Sequence, residues 1–482
     1  VKVNYPETII EKSTGLNESE EYLNKLCTKT FLSLWSYANL FRDKHKRDTG
    51  DGKELCDLLV VFGNHILIFS LKLCEFNQTK DVSTSWIRWY KGAVKESTRQ
   101  IFGAERWIKN HSDRIFLDKQ CTKRFPLNLP NSEDVIIHRI AVAFGATEAC
   151  KNYFNDRSLG SLKIDTTIRG DMHFTTKNVS PFNVGHVEPD CGYVHVLDDK
   201  TLDILMDTLD TAPDFIDYLS KKEALFLQNE IKAMGEEDVL ATFLTHINSS
   251  NERYFPLDEN ASNNIVEFRK GNWNDFNNSP ERMRQIEANK ISYYWDGLIE
   301  THNRYFTTGT LGYMSSSDVN ETEQSIRIMA SENRTIRRLF SESIIELKNK
   351  VKNKTNDYKP EYRFSYNPQC KTGYVFMVLE YNEECFESYE FYREYKKNLL
   401  NIYLHSMKLR YPDSKWLFGI GIETNIVRGG TSEDFAYLDG STWTKENESV
   451  AIEYERSLIK NGFIRKRTER IVGVDEYPIK SP

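Results

Sequence analysis

Residues 54–72 read ELCDLLVVFGNHILIFSLK, two apolar runs on either side of a Gly63–Asn64 pair. Gly and Asn accept the positive φ that a tight hairpin turn demands. A turn there places Val61 opposite Ile66, Leu59 opposite Ile68 and Asp57 opposite Ser70. Side chains alternate along a strand, so Ser70 and Lys72 share one face and Leu71 points away. Asp57, Ser70 and Lys72 therefore converge at the open end of the hairpin. Both faces of the two runs are apolar, the pattern of a sheet covered on two sides. A carboxylate and an ammonium at the end of such a sheet need pairing, a metal or a phosphate.

Phosphodiester cleavage is the chemistry that uses this arrangement. A carboxylate binds a hard divalent cation. The cation polarises phosphoryl oxygens and lowers the pKa of a bound water. A lysine positions that water or stabilises the charge that develops as it attacks.

Working outward, Tyr22, Leu23, Leu26, Phe31, Leu34 and Leu40 recur at helical spacing and predict a helix over 18–41. A charged loop, DKHKRDTGDGK, spans Asp43 to Lys53. One or two helices are expected over 84–110, and the β-branched run at 134–143 predicts a strand.

This order of elements resembles the PD-(D/E)XK, or restriction-endonuclease-like, nuclease superfamily, over residues 1–150. The resemblance rests on a helix with an acidic residue, a strand carrying Asp, a hairpin to a strand ending in X-Lys, and a following helix. It implies a mixed sheet flanked by helices, an α/β fold, with Asp57 and Lys72 as the catalytic aspartate and lysine. The family's middle acid falls at position 70, which is Ser here. Glu21, or its neighbour Glu20, would complete the metal shell with Asp57, and the implied cofactor is Mg2+ or Mn2+. Strand parity turns Glu54 away from Asp57, and Glu75 is a weaker substitute. Gln100, within RQIFGAERWI, matches a helix in which the family often directs a Gln at the site.

Beside the hairpin, Lys91, Lys95 and Arg99 are spaced i, i+4, i+8, with Arg88 and Arg106 nearby. A basic stripe of this kind neutralises phosphates and positions a polymer without reading its bases. Arg88, Lys91, Lys95, Arg99, Gln100 and Arg106 are thus the candidate nucleic-acid contacts.

The rest of the chain is less informative. His186, Glu188, Asp190 and His195 fit no zinc template, and His195 reads as a strand residue. Gly419, Gly421, Gly429 and Gly430 form neither a GxxxxGK[ST] nor a GxGxxG motif. Arg428–Ser432 reads as a turn, and Ser432, Glu433 and Asp434 as the cap of a short helix. IRKRTER at 464–470 is a small basic cluster. Acidic helices are expected over 199–236 and a long helix over 279–303. A helix at 319–353 precedes a β-α-β order from 373 to 422.

The 482 residues divide into three expected sections: a nuclease-like α/β domain at 1–150 and α+β sections at 151–315 and 316–482. A formal charge of −7 excludes a polybasic binder but not a local basic groove. The eight cysteines form no CxxC pair, and neither a secretory leader nor an 18-residue apolar run is evident, so a reduced, cytoplasmic protein is expected. The reading that results is a divalent-metal-dependent endonuclease acting on DNA in preference to RNA. Large chains of this build resemble prokaryotic defence nucleases. The expected partners are nucleic acid and either another protein or a second copy of the chain, with no membrane. The alternative is an inactive nuclease-fold protein that binds nucleic acid or scaffolds a complex.

Overall fold

The hairpin forms in the register its turn dictates. In the computed structural model, Val61 pairs with Ile66 and Leu59 with Ile68, and Gly63 adopts φ +63°. The structure describes residues 10–43, 51–131, 133–155, 159–175, 179–256, 265–307, 319–352, 359–424, 432–464, 473 and 475–478. Most of the charged loop before the hairpin, Arg428–Thr431 of the glycine-rich turn, and 465–470 of the basic cluster lie outside the described residues.

Two units emerge, one running to Glu287 and the other from Ala288 to Glu476, with Tyr477 and Pro478 belonging to the first. Both are mixed α/β. The first begins with helix α1 (Glu18–Trp35), strand β1 (Ser36–Arg42) and the hairpin strands β2 (Lys53–Phe62) and β3 (His65–Leu73). Helix α2 (Val82–Tyr90), a π-helical turn at Lys91–Lys95 and helix α3 (Glu96–Asn110) follow. Next come β4 (Ile115–Phe116), β5 (Ile136–Phe144), α4 (Thr147–Tyr153), β6 (Lys163–Arg169), β7 (Asn183–His186) and the short strand β8 (His195–Leu197). The order of the main sheet is β4-β1-β2-β3-β5-β8, antiparallel as far as β3 and parallel from β3 to β8.

The helix expected over 18–41 stops at Trp35. Leu32 already leaves helical geometry at φ +62°, and Tyr37, Ala38 and Leu40 pair with β2 instead. Their apolar side chains satisfy the sheet as well as they would a helix face, and backbone pairing decides between the two. The boundary expected at residue 150 falls inside this unit, because β8 completes a sheet begun at β1.

Phe31 of α1 meets Phe69 edge-on, whereas Gln100 of α3 bonds to Ser70. Neighbours in a strand point to opposite faces, so α1 and α3 cover the two sides of β3. Helices α5 (Asp199–Thr208) and α6 (Ala212–Gln228) extend the unit, with Pro213 in the first turn of α6. The helical stretch expected up to 236 is interrupted by β9 (Glu230–Ala233), which precedes α7 (Glu236–Thr245) and β10 (Ile265–Glu267). A second sheet has the order β10-β9-β6-β7. Helices α8 (Asn272–Asn277) and α9 (Pro280–Asn289) follow.

The second unit contains α10 (Tyr293–Thr307), α11 (Val319–Ala330), α12 (Arg334–Lys352), β11 (Glu361–Asn367), β12 (Thr372–Val378), α13 (Tyr389–Arg410), β13 (Trp416–Ile422), β14 (Glu433–Asp439) and α14 (Lys445–Lys460). The parallel pair β12 and β13 joined by α13 is the expected β-α-β order. Glu433 and Asp434, read as a helix cap, open strand β14 instead, since pairing with Ile422 and Gly421 draws them into the sheet. Trp295 is fully buried against Phe340, Tyr374 and Phe376, and its Nε1 donates to the Met329 carbonyl at 3.0 Å. Trp295→Ala removes that ring and orphans the carbonyl. It is expected to lower the stability of this unit by about 3–5 kcal/mol in urea unfolding followed by near-UV circular dichroism.

Candidate active site at the open end of the hairpin

Asp57 lies in β2 with only 3% of its surface exposed. Its Oδ2 accepts from the Leu71 amide at 2.5 Å, and its Oδ1 accepts from Gln100 Nε2 at 3.1 Å. Lys72 Nζ stands 3.8 Å from Oδ2, with its side chain 35% exposed. Ser70 Oγ donates to Gln100 Oε1 at 3.0 Å, so one amide of α3 ties Asp57 to Ser70. The expected convergence of Asp57, Ser70, Lys72 and Gln100 is therefore present.

The acid from α1 is Glu20. Glu21, the first choice from sequence, is exposed on the helix surface. Asn17 caps α1 by accepting from the Glu20 amide at 3.0 Å, which makes Glu20 the third residue of the helix. Its carboxylate turns back over the helix start, accepting from the Leu16 amide at 2.9 Å and from Asn39 Nδ2 at 2.7 Å. The same Asn39 amide reaches Glu54 Oε1 at 3.4 Å, and Asn39 Oδ1 accepts from Ser13 Oγ at 2.9 Å.

Glu54 is the second correction. Simple alternation turns it away from Asp57, but β1 and β2 slip register between Leu40 and Phe41, where Cys56 and then Glu54 are the successive partners. Leu55 is the extra residue of this bulge, and an extra residue reverses the parity of everything before it. Asn39, at φ +50°, sits beside the bulge between Ala38 and Leu40. Asn tolerates left-handed backbone better than most residues. That tolerance is the one local signal that could have singled it out.

Burial is the largest influence on Asp57 and raises its pKa above the usual carboxylate value. The Lys72 charge and the Leu71 and Gln100 hydrogen bonds pull it down without cancelling the rise. Glu54 is also raised, first by burial and then by the negative charge of Asp57. The negative charge of Glu20 acts on both Glu54 and Asp57, and the Lys72 ammonium opposes it at both. Hard oxygen donors with a deficit of positive charge suit Mg2+ or Mn2+. The three carboxylates do not all lie within 4.8 Å of one another. Among the described residues the only group of three or more possible ligands that does so is elsewhere, at His138, His195 and Glu223.

The expected basic stripe is broken up. The π-helical turn at Lys91–Lys95 adds a residue to the helix and disturbs the i, i+4, i+8 alignment. Lys91 and Lys95 both stand over the Phe174 ring, and Lys95 pairs with Asp171 at 3.4 Å. Arg99 turns to Glu96 at 2.5 Å. Arg88 and Arg106 remain exposed, and neither makes an ion pair among the described residues. Gln100 belongs to the hairpin site and not to the surface. Glu75 is exposed. All eight cysteines are free, and no helix of the described residues is long and apolar enough to cross a membrane.

No family model matches the chain, and no curated protein or solved structure matches it.

The raised carboxylates set a pH dependence of stability. Where a folded-state pKa exceeds the unfolded one, the native state keeps protons that the unfolded state has lost, so stability falls as pH rises through that window. For Asp57 and Glu54 the window lies above the ordinary carboxylate values of about 4. In chelator, the Asp57→Asn protein should lose less stability than wild type as pH rises above about 4. It should also unfold at a higher temperature than wild type near neutral pH, as read by thermal denaturation.

Proposed function

We propose that this chain is a divalent-metal-dependent endonuclease that hydrolyses phosphodiester bonds, with DNA favoured as substrate. The observation that carries this reading is Asp57, buried at one hairpin end with Lys72 Nζ at 3.8 Å, where the negative charge of Glu20 acts on both Asp57 and Glu54. Asp57 and Glu20 would hold the cation, with Glu54 beside them. Bound there, Mg2+ or Mn2+ would polarise a phosphoryl oxygen and acidify a water.

The side chains present have definable roles. Gln100 holds the Asp57 carboxylate in one orientation through Nε2, while Ser70 fixes the amide from its other end. Lys72 is exposed enough to offer its ammonium to a phosphate while keeping Asp57 as counter-charge. Exposed Arg88 and Arg106 would take backbone phosphates, which positions a polymer without sequence selection. Lys95 and Arg99 already hold carboxylates, so their share in binding is smaller.

A second reading has one observation in its favour. Ser70 brings no charge where the resemblance expects an acid, and its hydroxyl is committed to Gln100. The chain would then bind nucleic acid without cutting it.

A cleavage assay with Mg2+ or Mn2+ on single- and double-stranded DNA and RNA separates the two. The Asp57→Ala and Lys72→Ala proteins, with unchanged circular dichroism, should cut about 10²–10³-fold more slowly than wild type. Arg88→Ala and Arg106→Ala should each weaken binding and lower the salt slope by about 1. Equal cleavage by wild type and both site variants would end the site assignment. Binding without cleavage under every condition would leave the second reading standing.

A further inference from the structure

His138 on β5, His195 on β8 and Glu223 on α6 meet at a second cluster. His138 Nδ1 and His195 Nε2 each lie 3.8 Å from Glu223 Oε2, and all three atoms fall within 4.8 Å of one another. Both imidazoles are fully buried, while the Glu223 side chain keeps 22% exposure. His138 Nδ1 and both ring nitrogens of His195 have no hydrogen-bond partner. An unmet polar atom in such a place costs about 1–3 kcal/mol, so an arrangement that leaves two of them, His138 Nδ1 and His195 Nε2, facing one carboxylate calls for a ligand.

The surroundings do not supply one. Arg139 is held by Glu105 at 2.6 Å, and Lys222 by Glu236 at 2.6 Å. Both nearby cations are therefore already neutralised, and Glu223 has no lysine or arginine partner among the described residues. Arg139 follows His138 in β5 and points to the α3 face, so His138 points to the other. The side chain of Ser70, whose β5 partner is Ala141, lies on the α3 face as well. The histidine cluster and the Asp57 site are thus on opposite sides of the sheet.

We propose that His138, His195 and Glu223 bind a borderline divalent metal ion, Zn2+ in preference to Mg2+. Two imidazoles and one carboxylate form a donor set that Zn2+ uses and that Mg2+, which favours oxygen and keeps its water, does not. Zinc bonds of about 2.1 Å put tetrahedral donors about 3.4 Å apart, so the two 3.8 Å pairs need to close by only about 0.4 Å. The fourth position falls to solvent, on the side where Glu223 is exposed.

Metal ligation requires neutral imidazole. Burial depresses both histidines, His138 to about 3, which leaves their lone pairs free of protons near neutral pH. His138 Nε2 lies 3.0 Å from His65 Nδ1, with the rings stacked. If Nδ1 takes the metal, Nε2 carries the hydrogen and donates it to His65. A ligating histidine is commonly held in one tautomer by such a partner, which makes His65 a positioning residue. The ion would fasten β8, an edge strand of three residues, and helix α6 to the neighbouring strand β5, so part of its binding energy becomes folding energy.

The test uses the full chain, stripped with chelator and titrated with Co2+, whose visible absorption reports tetrahedral ligation, followed by Zn2+ competition. Wild type should develop the band, lose it to Zn2+, and melt at a higher temperature with Zn2+ than without. His195→Ala should lose the band. Glu223→Gln, at a partly exposed position and with its fold checked by far-UV circular dichroism, should bind about tenfold or more weakly. His65→Ala should keep the shape of the band, because the ligand set is unchanged, but weaken binding about 10–100-fold. Asp57→Asn should bind Co2+ as wild type does, which separates this site from the hairpin site. Absence of the band in wild type, or the same band and affinity in wild type and Glu223→Gln, overturns the proposal.

Discussion

The burial of one carboxylate organises the first unit. Asp57 sits in the middle strands of a sheet where nearly every neighbour is apolar, and a charge there is tolerated only with several partners. The Leu71 amide, the Gln100 amide and the Lys72 ammonium are those partners, and each comes from a fixed place. The hairpin must hold its register for Leu71 to point its N–H at Oδ2. Helix α3 must lie on the Ser70 face for Gln100 to reach Oδ1. The partners do not fully offset the cost, since the pKa of Asp57 stays raised.

Much of this was legible from the residues. Gly63–Asn64 flanked by alternating apolar runs specified the turn, the pairing and the convergence of Asp57, Ser70 and Lys72. These features depend on turn chemistry and period-two alternation, both of which are local. Gln100, grouped from sequence with the nucleic-acid contacts, bonds to Asp57 and Ser70 instead. The choice between Glu20 and Glu21 was not local. It depends on Asn17 being the helix cap, which makes Glu20 the third residue and leaves Glu21 facing out. Glu54 and Asn39 were missed because a one-residue bulge reverses strand parity, and alternation cannot detect an inserted residue.

The basic helix shows the converse error. A spacing of four residues aligns side chains only on an uninterrupted α-helix, and a π-helical turn occupies Lys91–Lys95, the first interval of the expected stripe, although both lysines still reach the Phe174 ring. Two of the expected phosphate contacts then find carboxylates of their own. The histidine cluster shows a different limit. His195 was weighed with His186, Glu188 and Asp190, its neighbours in the chain, whereas its partners in space are His138 and Glu223. Parallel pairing of β5 with β8 brings them together, and no spacing rule spans that distance.

By itself the sequence determined the hairpin and its register, because these follow from contacts a few residues apart, and the β-α-β order of elements at 373–422, because each element carries its own periodicity. Only the tertiary structure decided which helix acid joins Asp57, that Glu54 turns inward, that the basic stripe is partly neutralised and that two distant histidines share a carboxylate. Those outcomes depend on a bulge, a helix cap, a π-helical turn and the order of strands in a sheet, and each is settled by packing between segments that the chain does not place side by side.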